Sequence, residues 1–256
     1  MKQFMAFTKK EFLEQLRTGK LFILTMIFCL FGIMNPVIAK ITPWLMERMS
    51  EQLAESGMAV VSVEVNALTS WIQFFKNMPI ALIIVLVMFS SIFTAEYQKG
   101  TLINVVTKGL DRWKILLSKT VVMCLTWTFG YLISYGITYG YNAYFWDNSI
   151  VRHILFAVFC FYFFGLWLIT VLTLASTLFR TTSAITLSAG AAFLATYLLG
   201  LIPEIKMYVP SHLMESAELL AVGSKTSNYS IAIIITSTLI TINIILSVFI
   251  FNKKNI

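Results

Sequence analysis

Charge is what this chain has least of: Asp, Glu, Lys and Arg make up 12% of it, against roughly 25% in an ordinary soluble domain. Six stretches contain none of the four: residues 21–39, 77–95, 120–146, 154–179, 181–203 and 226–252. Such gaps exclude a water-facing surface over most of the chain. Histidine occurs twice, His153 and His212, and cysteine three times, Cys29, Cys124 and Cys160. A clustered His/Cys metal site is therefore not expected, nor is a disulfide framework. The cysteines all fall in the uncharged stretches and read as small apolar residues. None of the stretches carries a carboxylate, Lys, Arg or His near its centre, where proton-coupled carriers and ion-selective channels usually keep such a group. HExxH and GxSxG are missing as well. Lys99-Gly100-Thr101 lacks the upstream glycine and the strand that a phosphate-binding loop needs. Asn228-Tyr229-Ser230 matches a glycosylation sequon, a pattern short enough to recur by chance.

What is present is apolar length. Hydrophobic residues make up 58% of the chain, and each uncharged stretch approaches or exceeds the ~20 residues that cross ~30 Å of hydrocarbon. Only a helix satisfies its own backbone in that setting without closing a barrel. The expected fold is an all-α membrane protein, with residues 1–256 forming one transmembrane domain of six spans and no room for a second soluble one. The net charge of +7 follows the membrane rather than a nucleic acid. With both ends inside, thirteen Lys/Arg lie on the inner side and six on the outer (Lys40, Arg48, Lys76, Arg152, Lys206 and Lys225). The positive-inside rule then favours N-in, C-in. Residues 1–20 carry five Lys/Arg and no apolar core, so 21–39 is expected to act as an uncleaved anchor.

The connectors are unequal. Residues 40–76 form a long outer segment, read as partly helical over 43–54. Residues 204–225 form a second one, set off by Pro203 and Pro210, with a short re-entrant or interfacial helix over 213–221. At the N-terminus, Phe4, Met5, Phe12 and Leu16 share one helical arc while Lys10, Glu14 and Arg17 lie opposite. That arrangement suits a helix lying in the headgroup plane. The only sizeable inner loop runs IFTAEYQKGTLINVVTKGLDRWKILLSK over 92–119. Glu96 leaves the second span, Gly100 permits a turn, and Thr101 can cap a short helix with Leu102, Val105 and Val106 on one face. Gly109 ends that helix, and Asp111 can cap the next, which carries Arg112, Trp113 and Lys119 into span three.

These features together resemble the type-2 ABC exporter permeases, the membrane subunits of many bacterial exporters. Thr8-Lys9-Lys10-Glu11-Phe12, continuing to Arg17-Thr18-Gly19-Lys20, is similar to that family's elbow helix. The run from Glu96 through Lys99, Gly100, Thr101 and Leu102 to Arg112 and Lys119 is similar to its coupling loop. The proline-broken connector from Pro203 through Tyr208-Val209-Pro210-Ser211-His212-Leu213 is similar to its outer re-entrant segment. The resemblance implies a separate cytoplasmic ATP-binding cassette subunit, which would carry ATP and magnesium and do the hydrolysis. It also implies a second permease copy or a related permease, and a place in the bacterial plasma membrane. Basic Lys99, Lys108, Arg112 and Lys114 would then face the cassette, with Leu102, Val105 and Val106 as an apolar anchor.

Span three carries Tyr131, Tyr135 and Tyr139 at four-residue intervals, with Gly136 and Gly140 beside them. The stripe reads as ordinary span packing or as the lining of a path suited to amphipathic cargo. Asn35 before Pro36 places an amide late in span one. A path with aromatics and hydroxyls but no fixed charge fits a hydrophobic peptide, such as a toxin or bacteriocin, with drugs or lipids next. A membrane scaffold or sensor without transport is the reading from another class, and its signature is the absence of cargo-stimulated ATPase.

Overall fold

The computed structural model describes residues 2–54, 65–100, 107, 109–221 and 225–254, with the side chains of 49–54 and 97–99 left aside. Among the described residues the α-helices with defined bounds are, in order, α1 (Lys2–Arg17), α2 (Lys20–Ala54), α3 (Ala67–Lys99), α4 (Arg112–Phe145), α5 (Ile154–Leu178), α6 (Thr182–Gly200) and α7 (Ser230–Lys253). All but α1 are long and apolar enough to cross a membrane. Short 3₁₀ helices fill the connectors at Asn148–Ile150, Lys206–Tyr208, Pro210–Leu220 and Thr226–Tyr229. Among the described residues there is no strand.

The helices overrun the uncharged stretches. The expected outer helix over 43–54 is a direct continuation of α2, which carries Pro36 and Pro43 inside it. α3 begins ten residues before the uncharged stretch, so Lys76 lies on the helix, and α4 likewise takes in Lys114 and Lys119. The reason is that charge excludes a residue from hydrocarbon, not from helix. The connector after α6, where a short helix over 213–221 was expected, forms the 3₁₀ helix Pro210–Leu220, which buries Leu213, Leu219 and Leu220. It packs on α5 and touches α3, α6 and α7.

α3, α4 and α5 form the centre. In their most apolar windows 56%, 61% and 56% of residues are buried, whereas in α6 and in the span ending in α7 the figure is 11%. α2 and α4 run in the same direction and approach closely. Phe28 faces Gly130, Gly32 faces Ser134 and Ile137, and Asn35 faces Thr138. At the centre Trp127 lies 5.9 Å from Phe28, 5.1 Å from Tyr131 and 6.5 Å from Phe161, ring to ring. Its indole N–H donates to the carbonyl of Tyr162 at 3.1 Å. Gly19, at φ +71°, separates α1 from α2; an L side chain there would meet the left-handed penalty.

Candidate coupling site at the α1 end of the bundle

The side of α1 that faces the bundle is polar. Glu11 (1% exposed) and Gln15 are its buried residues, while Met5 and Leu16 of the apolar arc are exposed. Burial of a carboxylate is tolerated only where charge and hydrogen bonds meet it, and both do. Lys119 Nζ on α4, also 1% exposed, donates to Glu11 Oε2 at 2.7 Å. It reaches Glu96 Oε2 on α3 at 3.1 Å and the carbonyl of Ile92 at 3.4 Å. Those three acceptors match the three N–H donors of an ammonium. Lys10 closes the ring from the outside, with Nζ 2.8 Å from Glu11 Oε1, 2.8 Å from Glu14 Oε2 and 3.2 Å from Glu96 Oε1. Partial burial disfavours its charged form, but hydrogen bonds to Glu11 and Glu14 and the charges of Glu11 and Glu96 outweigh that and hold its pKa well above the ordinary lysine value.

Glu11, Glu14 and Glu96 bring carboxylate oxygens within 4.8 Å of one another, a spacing that would suit a metal ion. The Lys10 ammonium already stands among them at bonding distance, so the positive charge that the cluster calls for is supplied by the chain itself.

The network ties three helices together where they leave the apolar zone. Glu96 lies three residues before the end of α3, and Lys119 lies in the first third of α4. The loop between them is therefore braced at both roots. Gly100, immediately after α3, has φ +64°, the left-handed C′ position where glycine ends helices. Thr101, Leu102 and Val105 lie outside the described residues, as do Val106 and Lys108, and so does the side chain of Lys99. Arg112 turns inward and donates to the carbonyls of Asn252 and Lys254, fixing the start of α4 to the end of α7. Lys114 bonds Asp111 Oδ2 at 2.7 Å and Gln3 Oε1 at 2.9 Å. Asp111 precedes α4, yet its carboxylate makes that ion pair instead of a side-chain cap. Lys119 is 1% exposed, with its ammonium turned inward to Glu11, Glu96 and the carbonyl of Ile92.

Of the residues expected on an elbow helix, Lys9, Lys10 and Arg17 are exposed and Phe12 is half-buried. Glu11 and Gln15 are the residues that the sequence reading did not single out. The signal available for Glu11 was its position between Lys10 and Phe12, which gives no hint of a partner 108 residues away.

The tyrosine stripe divides. Tyr131 is 1% exposed, donates to the carbonyl of Val158 at 2.9 Å and stacks on Phe161; it is packing. Tyr135 rests on Trp71 at 5.5 Å, ring to ring, and Tyr139 is 45% exposed. Asn35 is fully buried and joins three spans. Its amide donates to Thr138 Oγ1 at 3.1 Å, and its carbonyl accepts from Asn77 Nδ2 at 2.8 Å. Replacing Asn35 by leucine leaves the amide of Asn77 and the hydroxyl of Thr138 without it. Interhelical hydrogen bonds within membranes contribute about 0.6–2 kcal/mol, so the expected result is a lower thermal unfolding midpoint in detergent. An unchanged midpoint would show that this polar junction does not hold the three spans.

A bundle of six helices long and apolar enough to span a membrane, with a polar, ion-paired junction at one end that joins α1 to the end of α3 and the start of α4, defines a polytopic helical membrane protein. The sequence profile described as ABC-2 family transporter protein matches residues 5–256, and the chain belongs to that family. A search of curated proteins returned no match.

Proposed function

We propose that the chain is the membrane-spanning permease subunit of an ATP-driven ABC exporter, oriented N-in and C-in in a bacterial plasma membrane. The loop between α3 and α4 docks on a cytoplasmic ATP-binding cassette subunit, which binds ATP and magnesium. Leu102, Val105 and Val106 give that contact an apolar centre, as binding hot spots need. The observation that carries the reading is the Glu11–Lys119–Glu96–Lys10 network. It links both roots of the loop to α1, so a displacement of the loop reaches α1, α3 and α4 together. α1 is the elbow that lies in the membrane plane, and α2 to α7 are the moving spans.

A second copy completes the path. α6 leaves Leu187 and Leu194 exposed, Leu201 follows seven residues further on, and Ser183, Gly190 and Tyr197 repeat at the same spacing, each preceding one of these leucines. A seven-residue repeat of this kind fits a facing helix. The exposed faces of α2 and α6 carry aliphatic, aromatic and hydroxyl groups without fixed charge over their central turns, which favours a hydrophobic or amphipathic peptide as cargo.

The test is purification of the tagged chain from its own host under mild extraction. A soluble protein that binds ATP should accompany it, in a complex whose mass holds two copies of each. Leu102→Asp should release that protein at unchanged membrane level. Gly100→Ala, strained at φ +64° by about 1–2 kcal/mol, should keep the complex but reduce cargo-stimulated ATP hydrolysis. Recovery without any ATP-binding partner would sink the exporter reading, and a partner whose hydrolysis no peptide stimulates would mark a scaffold.

A further inference from the structure

The face of α1 that looks away from the ionic network meets α4 across a groove of about 400 Å³, lined by Phe4, Met5, Thr8, Lys9, Phe12 and Leu125. Its surface is almost wholly apolar. The Thr8 hydroxyl is engaged, with the carbonyl of Phe4 at 2.9 Å and Ser118 Oγ at 3.0 Å. Leu125 is 51% exposed, and Phe129 (52%) and Leu132 (55%) continue the same face of α4. Residues at 125, 129 and 132 fall within about 60° on a helix that turns 100° per residue. The groove therefore opens onto the bilayer-facing surface of a spanning helix. Lys9 is the one charged residue that lines it. Unlike Lys10, Lys114 and Lys119, it has no ion-pair or hydrogen-bond partner among the described residues.

An apolar trough that continues a lipid-facing surface and ends at a free ammonium has the chemistry of a phospholipid site. We propose that the groove between α1 and α4 holds one acyl chain of an anionic phospholipid, with its phosphate on Lys9. The acyl chain lies along Phe4, Met5 and Phe12 and leaves past Leu125. Lys9 carries an unopposed positive charge, so a lipid with net negative charge is favoured over one whose own ammonium would meet it. The bound lipid then supports α1 on a face about a quarter turn from Glu11, so that helix is held between a lipid and an ionic network. The inference requires only that α1 lies in the membrane plane; it stands or falls apart from the exporter reading.

The whole chain, purified and exchanged into nanodiscs containing phosphatidylglycerol and phosphatidylcholine in equal amounts, is examined by native mass spectrometry. Wild type should retain phosphatidylglycerol selectively. Lys9→Gln should lower that retention roughly fivefold, the effect of one lysine at an anionic surface. Leu125→Trp fills the trough without changing charge and should abolish retention. Lys2→Gln, an equal loss of charge outside the trough, should leave it intact. Equal retention of both lipids, an equal effect of Lys2→Gln, or no effect of Leu125→Trp would each overturn the proposal. Occupation by a co-purified peptide instead of lipid would overturn it too.

Discussion

Replacing Lys119 by methionine should be the most damaging single change at the ionic junction. Among the described residues it removes the only ammonium buried with Glu11, whose carboxylate is 1% exposed, and leaves the partly exposed Lys10 beside it. Deleting one partner of a buried pair costs about 3–5 kcal/mol because the remaining charge stays desolvated. The expected result is a large fall in the thermal unfolding midpoint and in the folded fraction extracted from membranes. Glu11→Gln should cost less, since Lys119 keeps Glu96 at 3.1 Å. The double variant Glu11→Leu with Lys119→Met removes both charges and should be more stable than Lys119→Met alone. A double variant whose loss equals the sum of the losses of Glu11→Leu and Lys119→Met measured singly would show that the side chains do not interact. Where the variants fold, loop-driven coupling offers a second readout: Glu96→Gln should lower cargo-stimulated ATP hydrolysis more than binding of the ATP-binding subunit.

Gly165→Ala is the second large effect expected. A Cβ at that position would stand 2.4 Å from the ring of Trp127. The indole cannot swing aside, because Phe28, Tyr131 and Phe161 surround it and its N–H is bound to the carbonyl of Tyr162. Overpacking of this kind costs about 1–3 kcal/mol and occasionally more. Gly130→Ala attacks the same core from α4, where the new carbon would fall 2.2 Å from the Phe28 ring. Gly136→Ala makes the same chemical change on α4 with nothing within 4 Å. There the better helix propensity of alanine, worth up to about 1 kcal/mol, should make it neutral or stabilising. Opposite signs for Gly165→Ala and Gly136→Ala are the prediction; equal shifts in unfolding midpoint would mean the aromatic core is not packed as described.

The spans were legible because charge is forbidden in hydrocarbon and therefore marks its limits. Helix ends were not, since Lys76 and Lys119 are compatible with helix and merely unwelcome in lipid. The junction at Glu11 was hidden for another reason. An ion pair between residues 108 apart leaves no local pattern, and on α1 the carboxylate looked like one more charge on a basic helix. The division of the tyrosine stripe follows from helix geometry: steps of four residues gain 40° each on a helix of 3.6 residues per turn. Tyr131 and Tyr139 thus stand about 80° apart, enough to take the first into the core and leave the second 45% exposed. Asn35 was visible as a late polar residue, but its partners Thr138 and Asn77 come from two other spans.

That three-span junction also sets an order of events during synthesis. Asn77 belongs to the span that directly follows the one carrying Asn35, whereas Thr138 comes 61 residues after Asn77 in the sequence. At ribosomal rates of about 5–20 residues per second, that delay is roughly 3–12 s. Throughout it the first two spans can already pair their asparagines as a hairpin, so the amide of span one need not wait in lipid unbonded. The third span then docks onto a preformed polar notch, and the growing chain assembles its membrane core in the order in which it emerges.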